Sequence, residues 1–242
     1  MSEDRYRCSF DSVAEIYERT RPTYAEEALA WVAQRLPLKR VLDLGAGTGK
    51  LTRQLVALGA DVVAVEPGDA MRAVLERLVP EAEALAGSAE SIPLPDASVD
   101  VVTVAQAFHW FRPDEALAEM HRVLRPGGGC ALIWNEWDDD DPLVHALNAI
   151  LALLRPEGTH RGDEAFAAID DSTLFGGREE RDFPHADRLD VDAVIGRMAS
   201  ISAVAAASPD EQASVEAQVR GLVKQPEVDF PMTTGVVILA RA

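Results

Sequence analysis

Short apolar runs recur along the first 135 residues at about 41–44, 62–65, 83–86, 99–105 and 129–135. They are rich in Val, Ile, Leu and Ala, and each is short enough to be a buried strand. Helical spacing fills the intervals, as in Ala116-Leu117, Met120 and Val123-Leu124. Strands that alternate with helices predict a parallel α/β sheet. After Asn135 the pattern changes. Glu136 to Asp141 is acidic, Pro142 opens a helix from Leu143 to Leu154, and a Gly/Asp-rich passage runs from Pro156 to Asp163. A strand over about Glu179 to His185 precedes two Ala/Val-rich helices at about 190–206 and 209–224. The final stretch, Thr233 to Arg241, is again strand-like.

The first strand breaks into Asp43-Leu44-Gly45-Ala46-Gly47-Thr48-Gly49 and restarts as a helix at Lys50. In a doubly wound sheet, a glycine-rich turn at the carboxyl end of a strand is where a nucleotide-like ligand sits. Glycines suit the turn because it needs unusual dihedrals and because Cβ atoms would block close approach of a ligand to the backbone. The spacing is G-x-G-x-G, which with the early Asp43 disfavours a nicotinamide dinucleotide site. The next strand ends in Glu66-Pro67-Gly68. From Gly45 to Glu66 the distance is about that between a glycine loop and an acidic residue that binds ribose. A carboxylate there accepts hydrogen bonds from both ribose hydroxyls and would repel a 2′-phosphate.

Two further segments follow. Gly87-Ser88-Ala89-Glu90-Ser91 leads to the strand Ser98 to Ala105, which ends at Gln106-Ala107-Phe108-His109-Trp110-Phe111. Leu124-Arg125-Pro126-Gly127-Gly128-Gly129 is a helix stop that hands over to Cys130-Ala131-Leu132-Ile133-Trp134-Asn135. In this order the segments resemble the motifs of class I S-adenosylmethionine-dependent methyltransferases. More narrowly, A-Q-A-F-H-W-F with L-R-P-G-G and I-W-N resembles the methyltransferase type 11 group, which includes trans-aconitate and cantharidin methyltransferases. The resemblance covers residues 9–137.

The resemblance implies a Rossmann-like, doubly wound, seven-stranded and mostly parallel sheet, with the last strand antiparallel between the fifth and sixth. It implies one methyltransferase domain over 1–242: N-terminal cap helices in 1–40, a donor-binding core in 41–137, and helical lid inserts at 138–178 and 190–224 that carry substrate identity. It implies S-adenosylmethionine as methyl donor, with S-adenosylhomocysteine as product. The residues it assigns to the donor are Tyr17, Arg21, Asp43, Gly45, Ala46, Gly47, Gly49, Glu66, Pro67, Met71, Ser88, Ala89, Glu90, Ala105 and Gln106. Tyr17 and Arg21 belong to a leader, Phe10 to Tyr24, similar to the family's F-D-x-x-A-x-x-Y-x-x-x-R-P-x-Y. There Tyr17 closes over the donor and Arg21 lies near its methionine carboxylate. A plain core aromatic and a surface cation are the alternative reading of that pair.

Methyl transfer from a sulfonium is an in-line displacement that needs alignment and exclusion of water more than catalytic side chains. No Ser/His/Asp triad, Cys nucleophile or metal-ligand spacing stands out, so no metal is expected. The acidic run Asp138 to Asp141 reads as a turn capping the next helix. His109 is the candidate general base for a hydroxyl acceptor, and a structural histidine that orients its loop is the equal alternative. Trp110, Asn135 and Trp137, together with Trp134, are candidate walls of the acceptor pocket, while Phe108 and Phe111 read as core. The segment lacks the Pro-Pro-aromatic pattern of exocyclic-amine methyltransferases, which favours O-methylation of a carboxyl or hydroxyl group over N- or C-methylation. A donor-binding protein without methyl transfer is the reading from a different class.

The composition narrows the partners. The 242 residues carry a formal net charge of −18, and that field opposes nucleic-acid binding. There is no apolar run long enough for a membrane span, and the charged N-terminus is unlike a signal peptide. Only Cys8 and Cys130 occur, which fits a reducing cytoplasm. The expected partner is a small-molecule substrate, and the expected state is a monomer or homodimer.

Overall fold

In the computed structural model, residues 14–154 and 162–242 are described. Cys8, the leader residues Phe10 to Val13, and most of the Gly/Asp-rich passage lie outside them. The strands are β1 (Arg40–Leu44), β2 (Asp61–Val65), β3 (Glu83–Leu85), β4 (Val99–Ala105), β5 (Leu124–Trp137), β6 (Phe175–Leu189) and β7 (Val228–Arg241). The helices are α1 (Ala14–Thr20), α2 (Glu26–Arg35), α3 (Lys50–Ala57), α4 (Asp69–Leu78), α5 (Pro113–Val123), α6 (Pro142–Ala152), α7 (Gly162–Asp171), α8 (Val191–Ala199), α9 (Ser202–Ala205) and α10 (Pro209–Leu222).

The seven strands form one sheet in the order β3-β2-β1-β4-β5-β7-β6. The pairs β1·β2, β1·β4, β2·β3 and β4·β5 are parallel. β7 runs antiparallel to β5: Trp134 packs on Gly235, Asn135 meets Thr234, and Asp138 N donates to Pro231 O, so one index falls as the other rises. The last strand therefore sits between the fifth and sixth, as expected. Side-chain alternation divides the sheet into two packed faces. Leu42, Leu44, Val102, Val104 and Leu132 face one apolar cluster, and Val41, Val62, Val101, Ala131 and Ile133 face the other.

β6 is longer than the stretch 179–185 read as a strand. It is an edge strand whose residues from Gly176 to Asp182 are exposed, so it lacks the apolar alternation that marks buried strands. Charge along an edge and a proline at Pro184 are tolerated there, because one side of an edge strand makes no ladder. The stretch 190–206 is two helices rather than one, breaking after Ala199 at Ser200-Ile201.

The chain forms two units. One, the sheet unit, holds residues 23–135, 162–183 and 234–242. The other holds 14–22, 136–154 and 184–233. The second unit has its own core, built by Val144, Leu147, Ile150 and Leu151 of α6, Val194 and Met198 of α8, Val215 and Val219 of α10, and Phe230 and Met232 of β7. Asp141 caps α6, accepting from Leu143 N and Val144 N, which accounts for the end of the acidic run. The stretch 138–178 is divided between the units: α6 lies in the second, whereas α7 lies in the first, with Ile169 and Phe175 buried in the sheet unit's core.

Candidate functional site

Parallel register brings the strand ends to one edge of the sheet. Leu44 pairs with Val65, Val65 with Leu85, Asp43 with Thr103, and Ala105 with Ile133. The glycine loop, Glu66, the segment from Gly87, Gln106 and Asn135 all follow from that edge. β1 and β4 are neighbours there although two strands and two helices separate them in the chain. A crevice at such a reversal of strand order is where α/β sheets bind ligands.

All three glycines of the loop adopt left-handed dihedrals, with φ of 70° at Gly45, 58° at Gly47 and 85° at Gly49. Their surroundings differ. A Cβ on Gly45 would lie 2.7 Å from the Ala107 Cβ, and one on Gly49 would press on Leu75 and Val79 at 3.0 and 3.2 Å. Among the described residues nothing lies within 4 Å of a Cβ placed on Gly47. Gly45 and Gly49 thus permit close packing of the loop on its neighbours, and Gly47 turns bare backbone away from them. The loop is tied down by Gly45 N and Ala46 N, which donate to Val65 O at 2.8 and 3.2 Å.

Glu66 is 9% exposed. Its carboxylate accepts from Gly47 N at 2.9 Å through one oxygen and from Gly68 N at 2.8 Å through the other. Arg72 Nη1 donates to the Glu66 carbonyl at 3.0 Å and fixes the turn from below. Asp43 lies under the loop, 1% exposed, accepting from Thr52 Oγ1 at 2.6 Å and Thr103 Oγ1 at 3.2 Å. Burial pushes the Asp43 carboxyl up to about 6. The two threonine hydroxyls oppose that rise, and the nearby Glu66 charge adds to it.

Beyond β3, Ala89 is buried, and Glu90 accepts from Arg112 N at 2.9 Å, so the 88–90 segment is pinned to the start of α5. Ser88 pairs with Ser91 in a short bridge. Met71 is buried on the inner face of α4, and Pro67 is exposed at the β2 turn. At the end of β4, Ala105 is half-buried and Gln106 has φ of 54°, a left-handed conformation rare for a residue with a side chain. Gln106 is held there by its N–H to Ile133 O at 2.9 Å and by Nε2 to Asn135 O at 2.9 Å. Such strain concentrates at functional sites. A 3₁₀ turn, Phe108–Trp110, follows. It buries Phe108 against Phe111, with ring centroids 5.8 Å apart, and leaves His109 and Trp110 half-buried with centroids 5.0 Å apart.

Asn135 has structural work in the sheet unit: Nδ2 donates to Thr23 O at 3.0 Å, and Oδ1 accepts from Thr234 Oγ1 at 2.5 Å. Trp134 lies over Gly235, where a Cβ would come within 2.6 Å of the indole. Trp137, Tyr17 and Arg21 belong to the second unit. Trp137 packs edge-on against Phe230 with centroids 4.9 Å apart, and Arg21 stacks its guanidinium 5.2 Å from the Tyr17 ring centroid. The structure therefore brings together the glycine loop, Glu66, 88–90 and Gln106. Thr52, Thr103 and Arg72, which hold Asp43 and Glu66 in place, were not singled out in the sequence. Thr103 meets Asp43 only through the β1·β4 register, and no local signal marks it.

With this geometry in hand, the chain's relatives are informative. A methyltransferase domain model matches residues 42–132, the span from β1 to β5. An uncharacterized methyltransferase of Mycobacterium tuberculosis is 52% identical over 143 residues, which is 59% of this chain and 58% of that protein. The chain thus matches less than two thirds of that relative's length. An uncharacterized methyltransferase-like protein of Schizosaccharomyces pombe is 34% identical over 212 residues, covering 86% of this chain and 83% of the relative. Among solved structures, an Anaeromyxobacter dehalogenans protein assigned as a type II methyltransferase superposes with a TM-score of 0.69 at 28% identity, covering 91% of this chain and 97% of that one. Fold, motif order and similarity over most of the chain agree, and the chain belongs to the class I S-adenosylmethionine-dependent methyltransferases of the type 11 group.

Proposed function

We propose that the protein transfers a methyl group from S-adenosylmethionine to a carboxyl or hydroxyl oxygen of a small molecule. One observation carries the reading. At the switch point of the sheet, Gly47 has a left-handed backbone with no described residue within 4 Å of the place of a Cβ, directly beside the buried Glu66 carboxylate. This is a cradle that a Cβ would fill, next to an acceptor suited to ribose hydroxyls, and it fits the family's donor. Gly45 to Gly49 would receive the donor's amino-acid portion, Glu66 the ribose, Met71 and Ser88 to Glu90 the base, and Ala105-Gln106 the region of the transferable methyl. The resemblance adds Tyr17 and Arg21 on the donor's methionine side, Pro67 beside the ribose, and Asp43 as support beneath the loop. When bound, the donor supplies an activated methyl on a sulfonium, a good leaving group.

The chain's own residues then have three tasks. The glycine loop and Glu66 orient the donor, the Gln106 turn fixes the edge at which the acceptor approaches, and the aromatic residues near it exclude water. Trp110, Asn135 and Trp137 are the proposed acceptor-side residues. For a hydroxyl acceptor His109 is the proposed base; a carboxylate is already ionised at neutral pH and needs none. The net charge of −18 supports a small molecule over nucleic acid. Among the described residues no helix is long and apolar enough to cross a membrane. The free, buried Cys130 supports a reducing compartment.

The test is incubation with metabolite extract and isotopically labelled donor, followed by mass spectrometry. A single small metabolite should gain the label on oxygen, with S-adenosylhomocysteine formed in equal amount. Donor binding with no labelled product from any extract would make the protein a donor-binding module.

A further inference from the structure

Residues 86–98 carry the chain from β3 to β4 as irregular backbone, and side chains of α5 hold that passage in shape. Arg122, in the last turn of α5, has five N–H groups, and all five are engaged on this passage or on Glu119. Its Nη1 donates to Leu94 O and to Asp96 Oδ1, both at 2.8 Å, and its Nη2 donates to Ile92 O at 3.0 Å. Nε and Nη2 also meet the two carboxylate oxygens of Glu119, three positions earlier, at 2.7 and 2.8 Å. Glu119 in turn accepts from Ile92 N at 2.8 Å. Ile92 is therefore gripped by both its N–H and its carbonyl. The Arg122 bonds hold the Glu119 carboxyl below the usual carboxylate range against the effect of burial, so the pair is ionised at neutral pH.

The grip reaches residues 88–90 through Pro93. Leu94 N donates to Ile92 O at 2.8 Å and closes a three-residue turn centred on Pro93, and Arg122 holds the carbonyl on each side of that proline. The Pro93 ring lies on Gly87: a Cβ there would come within 2.7 Å of the ring and 3.1 Å of Val65 at the end of β2. Gly87 leads directly into Ser88-Ala89-Glu90. That run is tied at its far side by Ser91 N, which donates to Ser88 O at 3.2 Å, and by Glu90, which accepts from Arg112 N at 2.9 Å. Ala89 and Ile92 share an apolar cluster with Leu117 and Met120 of α5. The helix is thus a splint for the segment, and the fork of Arg122 spans two carbonyls and a carboxylate as no lysine could.

We propose that Glu119 and Arg122 are positioning residues for the methyl donor: through Pro93 they fix the 88–90 edge and so set the protein's selectivity for an adenine base. The proposal rests on the reading in which Ser88 to Glu90 receive the donor's base, and it adds what makes that edge selective. Neither side chain touches the base; both act through the backbone of 92–94. Hydrogen bonds weaken steeply when misaligned, so an edge that is free to shift stops telling one base from another.

Calorimetric titration of the full chain with S-adenosylhomocysteine and with S-inosylhomocysteine tests it. The two ligands share homocysteine and ribose, and the inosyl base exchanges donor for acceptor along its hydrogen-bonding edge, so the ratio of affinities reads that edge alone. The wild-type chain should favour the adenosyl ligand by about tenfold or more. Glu119→Gln keeps the side chain's shape, but both carboxylate oxygens face N–H donors, so the amide NH2 meets a donor whichever way it turns. The variant should bring the ratio to within about threefold, chiefly by weakening the adenosyl ligand. Arg122→Met, which removes all five donors, should do the same; should circular dichroism show it unfolded, Glu119→Gln decides alone. A wild-type ratio near one overturns the proposal. So does a folded Glu119→Gln that keeps the wild-type ratio, whether its two affinities hold or fall together, because a merely structural role weakens both ligands alike. A wild-type chain that binds neither ligand would instead overturn the donor reading itself, and this proposal with it.

Discussion

The two units carry polar centres built in opposite ways. At the edge of the sheet unit, the main features are backbone: three left-handed glycines, N–H groups aimed at Val65 O and Glu66, and a strained Gln106 turn. Nearly all of it comes from residues close in sequence to a strand end. In the second unit the centre is made of side chains. Arg197 finds Thr20 across 177 positions of chain, and its charge partner comes from β6. A backbone-built site writes itself into sequence as glycine spacing, because only glycine tolerates the dihedrals and the close approach. A centre built from long side chains leaves no such mark.

The comparison predicts unequal responses to mutation. The largest effect is expected within the glycine loop. Gly45→Val combines a left-handed φ with a Cβ 2.7 Å from Ala107 and should cost about 3 kcal/mol or more in urea denaturation. Gly47→Val shares the φ but has no described residue within 4 Å, so its cost should stay near 1–2 kcal/mol. Equal losses at the two positions would show that they do not have the different roles assigned to them.

Asp43 is next. Its pKa lies near 6 in the folded chain against an ordinary 3.8, so the unfolded chain releases this proton first as pH rises. Asp43 therefore adds nothing adverse below about pH 4, lowers stability progressively between about pH 4 and 6, and holds a constant penalty above that. Asp43→Asn should remove this slope and, relative to wild type, gain about 2–3 kcal/mol between pH 4 and 7. Parallel stability profiles for the two proteins would place the carboxylate in solvent.

Glu66→Ala should weaken donor binding by about 1–3 kcal/mol, roughly five- to 150-fold, since charge-assisted hydrogen bonds to ribose are lost. A change smaller than twofold in calorimetry would remove Glu66 from the donor site. The smallest effect is expected at His109. With a carboxylate acceptor, His109→Ala should retain turnover within about tenfold and keep donor affinity. A drop of a hundredfold, with a residual rate that climbs with pH, would instead make His109 a general base.

How much was legible in the sequence follows the same division. The first five strands and the helix end before Arg125 were readable, because buried parallel strands are short apolar runs between periodic helices; β5 already starts at Leu124, earlier than the stretch 129–135 read as a strand, and the place of the last strand was carried by the family resemblance. The charged edge strand β6 was read too short, and the break at Ser200 was missed, since exposed strands and short Ala-rich helices carry little pattern. Asp43 and Glu66 were visible as acidic residues near glycines. Their supports, Thr52, Thr103 and Arg72, depend on register and helix phase. Arg197 was not visible at all; in sequence it is one cation on an amphipathic helix, and only its burial beside Arg21 and Asp187 distinguishes it.

The central claim is that bare backbone at Gly47, beside Glu66, receives the methyl donor. Its most direct test is calorimetric titration of S-adenosylhomocysteine into the wild-type chain and Gly47→Val, with circular dichroism confirming that both are folded. The account predicts saturable one-site binding to wild type and a loss of at least a hundredfold in the variant. Equal affinity in the two folded proteins would contradict it, because a valine side chain would then stand where the donor was claimed to lie.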